Sequence, residues 1–139
     1  EATRLYISAR SNVMDGDILR FKGTWMRLTR RAVRDYAFRG TGVETTLDMW
    51  ANVRRGEKLY ISPYKNKAHI MLDSSLPYEV SVMKNYARPL LAAVPEENQR
   101  RHELLDLIAA FEWFEPIDPA AVPADSLLRE FIGGGSYHY

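Results

Sequence analysis

Two hydrophobic rhythms alternate along this chain. Leu5-Tyr6-Ile7-Ser8-Ala9 is a short apolar run bounded by polar residues; Ala68 to Leu72 is another, preceded by Lys65-Asn66-Lys67 and followed by Asp73-Ser74-Ser75. Runs of this length predict strands buried in a sheet. Asn12 to Gly23, with Gly16 and two aspartates, predicts a loop. From Trp25 to Phe38 the spacing turns helical, with Trp25, Leu28, Ala32 and Tyr36 on one side. Thr24 is the expected N-cap, and Gly40 and Gly42 mark the stop. Val43 to about Arg54 repeats the helical rhythm through Val43, Leu47 and Trp50, and Gly56 is expected to break it before an aromatic segment ending at Tyr64. Two predicted strands thus flank two predicted helices.

Tyr78 to Val82 fits either element. Asn85 to Val94 and Asn98 to Phe114 predict helices, the second with Leu104, Leu105, Ile108 and Phe111 on one side. Glu115 to Asp125 holds three of the seven prolines and predicts a loop packed on the surface. Ser126 to Ile132 predicts a last helical turn before Gly133-Gly134-Gly135, which has no following helix and no lysine and so reads as a flexible terminus rather than a phosphate cradle.

Bulk numbers narrow the classes. The chain has 139 residues, 46% apolar and 27% charged, as expected of one globular domain. The net charge is only +1, so any electropositive function has to come from local clustering. The absence of cysteine excludes disulfides and thiolate metal sites, and fits a reducing compartment, with the cytoplasm as the default expectation. No apolar run approaches the roughly 18 residues of a membrane span, and the first ten residues lack a secretory profile, so no membrane is expected. The chain opens on Glu1 and enters an apolar alternation within four residues, which predicts an upstream part of a larger domain.

The clustering is in the first helix. Arg27, Arg30, Arg31 and Arg34 stand at i, i+3, i+4 and i+7, one stripe of a helix, opposite the apolar side. Like charges at these spacings repel by about a few tenths of a kcal/mol per pair, so the stripe calls for an anionic partner. Arginine suits phosphate because its planar fork donates two parallel hydrogen bonds and keeps its charge. A solvated basic face balanced by Asp35, Glu44 and Asp48 is the alternative. Arg39, Arg54, Arg55 and Lys58 add charge downstream, and Tyr60, Tyr64 and Lys65 interleave aromatics with it, a pattern shared by single-stranded nucleic-acid surfaces and by ordinary packing.

A phosphate-cradling loop of the Gly-rich, Lys-containing kind is missing from these residues. His69, His102 and His138 have no ligand spacing, and Glu112 with Glu115 reads as surface solvation at a helix end.

Arg27-Leu28-Thr29-Arg30-Arg31-Ala32-Val33-Arg34-Asp35-Tyr36-Ala37-Phe38-Arg39-Gly40 resembles the lid-helix signature of the uridine kinase and phosphoribulokinase family. Glu44 to Trp50, Val53 to Glu57 and Ala68 to Ser74 resemble later blocks of the same region in the same order. Leu127 to Gly134 resembles the end of a bacterial branch in which the kinase domain follows a segment similar to part of threonyl-tRNA synthetases. The resemblance implies an α/β fold: residues 1–139 as the helix-rich, lid-containing C-terminal part of a P-loop kinase domain, with two short strands of a parallel sheet. It implies transfer of a phosphoryl group from ATP, with Mg2+, to a hydroxyl of a nucleoside or similar small molecule. Arg27 would approach the acceptor and the transferring phosphate, a catalytic role shared with Arg30, while Arg30, Arg31 and Arg34 would close over the ATP phosphates. The Walker loop and general base would lie in a missing N-terminal half, without which this chain would be inactive. Trp25 stands where an acidic residue is common and Thr45 where an amide contacts uridine, so the acceptor stays open, as does self-association. The rival expectation is a non-catalytic phosphate- or RNA-binding module using the same arginines.

Overall fold

The computed structural model describes residues 2–137 as a mixed α/β fold, with α-helices predominating. The two predicted strands form: β1 (Leu5–Ser8) and β4 (Ile70–Asp73) pair in parallel, with Leu5 opposite Ile70 and Ser8 opposite Asp73. Contrary to the expectation of buried strands, the pair is half uncovered, with Leu5 at 52%, Ile7 at 56%, Ile70 at 54% and Leu72 at 52% exposure. An apolar run fixes the strand but not what covers it, and parallel strands are otherwise found with both faces packed.

The segment expected to be a loop is instead a hairpin of β2 (Val13–Asp15) and β3 (Ile18–Phe21). Gly16 turns it at φ +57° ahead of Asp17, which does not share the positive φ, the pattern of a two-residue turn that needs glycine first. The hairpin ends in Phe21, 1% exposed, whose ring meets Trp25, Phe111 and Phe114 at 5.6, 5.0 and 5.9 Å between centroids.

Helix α1 (Gly23–Arg39) follows at once, with Lys22 rather than Thr24 at the cap position. It ends where the sequence predicts, at Gly40 in the left-handed region. α2 (Val43–Gly56) does not break at Gly56, because the chain continues through a wide turn, Glu57–Ile61, into a tight one, Ser62–Lys67. α3 (Glu79–Ala92) takes up the ambiguous Tyr78 to Val82 segment, and α4 (His102–Ala110) is shorter than its periodic pattern. On α4, Leu104, Leu107 and Phe111 just beyond it are buried while Leu105 faces solvent. The proline-rich stretch lies on the surface as expected, apart from buried Val122, and leads to the short α5 (Arg129–Ile132).

α1 packs against α2, α3 and α5, so it is central rather than peripheral. From Gly23 to Asp35 none of its residues is exposed. The core gathers Phe21, Leu28, Val33, Leu47, Met83 and Phe111 around it. Gly133 to Gly135, expected to be flexible, lie ordered against α1 and α5, with the Ser136 N–H donating to the Ala124 carbonyl at 2.8 Å. A Cβ on Gly133 would come 3.2 Å from the Phe38 ring, and one on Gly135 would come 2.9 Å from the Arg129 Cβ. Positive φ at Gly133 and Gly134, +82° and +69°, and close packing at Gly135 account for these glycines. Among the described residues, no helix is long and apolar enough to cross a membrane.

Candidate functional site

The arginine stripe forms as the spacing predicts, but it does not face open solvent. Arg27, Arg30, Arg31 and Arg34 line a small cleft of about 190 Å³ with Trp50 and Val53 of α2, Glu57 and Phe131 of α5. Because α1 is enclosed from Gly23 to Asp35, its charged stripe has to be neutralised by carboxylates, and each arginine has one.

Arg27 donates to Glu57 Oε2 at 3.1 Å and reaches Ser8 Oγ at 3.5 Å. Arg30 makes a two-pronged pair with Glu79, the Nη2 to Oε2 arm measuring 2.8 Å, and its Nη2 also donates to the Ser74 carbonyl at 2.8 Å. Arg31 Nε lies 3.3 Å from Asp35 Oδ2, and Arg34 Nη1 donates to Glu130 Oε1 at 2.9 Å. The guanidiniums of Arg30 and Arg34 also stand 5.1 and 5.6 Å from the Phe131 ring centre. Three of these acids, Glu57, Glu79 and Glu130, come from distant segments and escape a spacing argument. Of those that sequence put forward, Asp35 serves the stripe, whereas Glu44 accepts from Asn98 and Asp48 pairs with Arg100.

The four pairs fall into two classes. Glu79 and Asp35 side chains are 2% and 3% exposed, but Glu57 and Glu130 are 23% and 28% exposed. Arg30 is therefore locked in the interior by a carboxylate that has no access to water, with Glu79 also accepting the Leu76 N–H at 3.2 Å. Arg27 and Arg34 are held by carboxylates that remain partly exposed to water. The Nε groups of Arg27, Arg31 and Arg34 are buried and make no hydrogen bond among the described residues. Each retains donor capacity that protein acceptors leave unused.

The stripe also has a direction. Arg27 touches Ser8 at the carboxyl end of β1, and Arg30 touches the Ser74 carbonyl just past β4. Beside them Asp73 accepts from the side chains of Ser11 and Ser75 and from the N–H groups of Ser75 and Arg10. Burial opposes its ionisation, yet those donors outweigh burial and hold the Asp73 carboxyl well below the ordinary value of 3.8. Arg27 and Arg30 thus meet the carboxyl edge of a parallel strand pair, the edge at which open α/β sheets bind ligands.

The histidines stay apart. His69 contacts Arg4, His102 contacts the Gln99 carbonyl, and His138 lies outside the described residues. Glu112 pairs with Arg88 on the surface. Among the described residues, no group of three or more His, Asp or Glu is arranged to hold a metal ion. Set against protein-family models, curated proteins and solved structures, the chain has no match.

Proposed function

We propose that this chain is the arginine-bearing, lid-containing part of an ATP-dependent kinase resembling the uridine kinase and phosphoribulokinase family, acting on a nucleoside or similar small hydroxyl compound. The observation that carries the reading is the placement of Arg27 and Arg30 at the carboxyl edge of the parallel pair β1 and β4. There, a stripe of guanidiniums is worth most to a transferring phosphoryl group whose negative charge is spread over its oxygens.

Within that reading the four arginines divide the work. Arg27 and Arg34 exchange their carboxylates for phosphate oxygens, Arg27 nearest the reacting group and Arg34 further along α1. Arg31 adds charge from the same cleft. Arg30, committed to Glu79, holds the helix against the segment after β4 and so fixes where the others point. Mg2+ and ATP would be brought by the half that carries the phosphate loop. That half would also supply further parallel strands beside β1 and β4 and the cover for Leu5, Ile7, Ile70 and Leu72, which are half exposed.

The test is reconstitution: joined to its upstream half, the chain should transfer phosphate from ATP, and Arg27→Ala should lower turnover at least about a hundredfold while the fold is retained. Full turnover in that variant would end the lid assignment. A second reading, a non-catalytic phosphate- or RNA-binding module, is favoured by exposed Tyr60 and Tyr64, the latter with Lys67 Nζ 5.0 Å from its ring centre. Tight, salt-sensitive binding of single-stranded RNA with no phosphotransfer after reconstitution would select it.

A further inference from the structure

A pocket of about 350 Å³ lies where α2 runs into the wide turn, and its walls are Arg54, Arg55, Glu57, Lys58 and Ser62. Glu57 also lines the arginine cleft, so one carboxylate is the common wall of two basic sites. Its Oε2 accepts from Arg27 on the cleft side at 3.1 Å and from Arg54 on the outer side at 2.6 Å. We propose that the outer pocket binds a small free phosphate anion, and that Glu57 sets this site against the cleft so that filling either one weakens the other. The antagonism rests on the phosphate reading of the cleft; the outer site itself does not.

The outer pocket holds more positive charge than the protein neutralises. Arg54 has Glu57, but Glu57 already serves Arg27, and Arg55 and Lys58 have no carboxylate partner among the described residues. The three cations follow one helical path from α2 into the wide turn, so Arg54 and Lys58, four residues apart, repel each other. Arg54 and Arg55 in the last turn of α2 suit its dipole, yet that turn is not an open helix end. The Glu57 N–H donates to the carbonyls of Val53 and Arg54, and the chain coils on. An anion is the partner this cluster lacks. Two guanidinium forks, an ammonium and the Ser62 hydroxyl are donors suited to phosphate oxygens. No aromatic or aliphatic residue lines the pocket, so it offers nothing to a base or a sugar and selects the anion alone.

The coupling follows from sharing an oxygen. A phosphate that takes Arg54 leaves Glu57 to Arg27, which is then held harder and gives less to an anion in the cleft. By linkage the effect is reciprocal: an anion that takes Arg27 leaves Glu57 to Arg54 and weakens the outer site by the same factor. The side chain of Arg54 is 43% exposed against 22% for Arg27, so Arg54 is the partner nearer to water and the one an outside anion reaches first.

Amide NMR of the 139-residue chain reads the two sites separately, at Lys58 and Ser62 for the outer pocket and at Arg31 and Phe131 for the cleft. Inorganic phosphate should move the outer amides. Arg55→Ala combined with Lys58→Ala should abolish that response and leave the melting temperature unchanged, since both side chains are exposed. Tripolyphosphate affinity is then read at the cleft amides in phosphate and in chloride of equal ionic strength. Phosphate should weaken it in the wild type by at least about threefold more than in the double variant, the size of one exposed ion pair. Direct competition in the cleft is common to both proteins and cancels. Glu57→Gln should keep the outer response and lose the extra weakening. Outer amides that ignore phosphate overturn the site. Equal weakening in the wild type and the double variant overturns the coupling, as does an extra weakening that survives Glu57→Gln. An outer response that depends on Arg55 and Lys58, with the cleft amides silent to tripolyphosphate, overturns instead the phosphate reading of the cleft and leaves the outer site standing.

Discussion

Arg30 and Glu79 face each other in the interior, 9% and 2% exposed, and tie the middle of α1 to the first residue of α3 by a two-pronged ion pair. A charge so enclosed is tolerable only while its partner is present. Glu79→Gln or Arg30→Ala should each cost about 3 to 5 kcal/mol in urea unfolding. Replacing both by apolar residues, Arg30→Met with Glu79→Leu, should lose much less than either single change. A double variant as unstable as the sum of the singles would show that the pair does not act as a unit.

Arg27 and Arg34 should behave in the opposite way. Their carboxylate partners reach water, so Arg27→Ala and Arg34→Ala should each cost no more than about 1 kcal/mol of stability. Each should weaken tripolyphosphate binding roughly tenfold, the scale of one lost charge-assisted hydrogen bond. Removing the competing carboxylate reverses the sign: Glu57→Gln should strengthen that binding, since Glu57 holds Arg27 at 3.1 Å and Arg54 at 2.6 Å. Titration calorimetry on the three variants gives the ordering directly.

Asp73 ties Ser11 and Arg10, beyond β1, to Ser75, beyond β4. Its folded carboxyl titrates below the unfolded value, so its contribution is complete above about pH 4 and is lost as the pH falls further. Asp73→Asn should therefore lower the urea midpoint clearly at roughly pH 7, with the gap to wild type narrowing by roughly pH 2.5. A gap that is constant across that range would contradict the assigned donors.

Gly23 opens α1 with no room for a side chain. A Cβ there would come 2.7 Å from the Arg10 carbonyl oxygen and 2.9 Å from that of Ser11, and its N–H donates to Asn12 Oδ1 at 2.9 Å. Both obstacles are backbone and cannot swing aside, so Gly23→Ala should cost about 1 to 3 kcal/mol in thermal or urea unfolding.

Local pattern alone determined the central feature: 3.6-residue spacing put Arg27, Arg30, Arg31 and Arg34 on one stripe, and Gly40 stopped the helix that carries them. It also found β1 and β4, because short apolar runs between polar residues have few other uses. The hairpin from Val13 to Phe21 escaped, its strands being three and four residues long around a turn whose glycine reads equally well as loop. Tertiary structure decided how the stripe is used. Periodicity assigns residues to a face but does not say what that face meets, and the carboxylates that meet this one come from positions 30 to 96 residues away wherever they lie outside α1. The depth of each carboxylate, not its charge or spacing, separates Arg30, whose partner is enclosed, from Arg27 and Arg34, whose partners reach water, because the cost of losing a partner rises with how far the pair is buried.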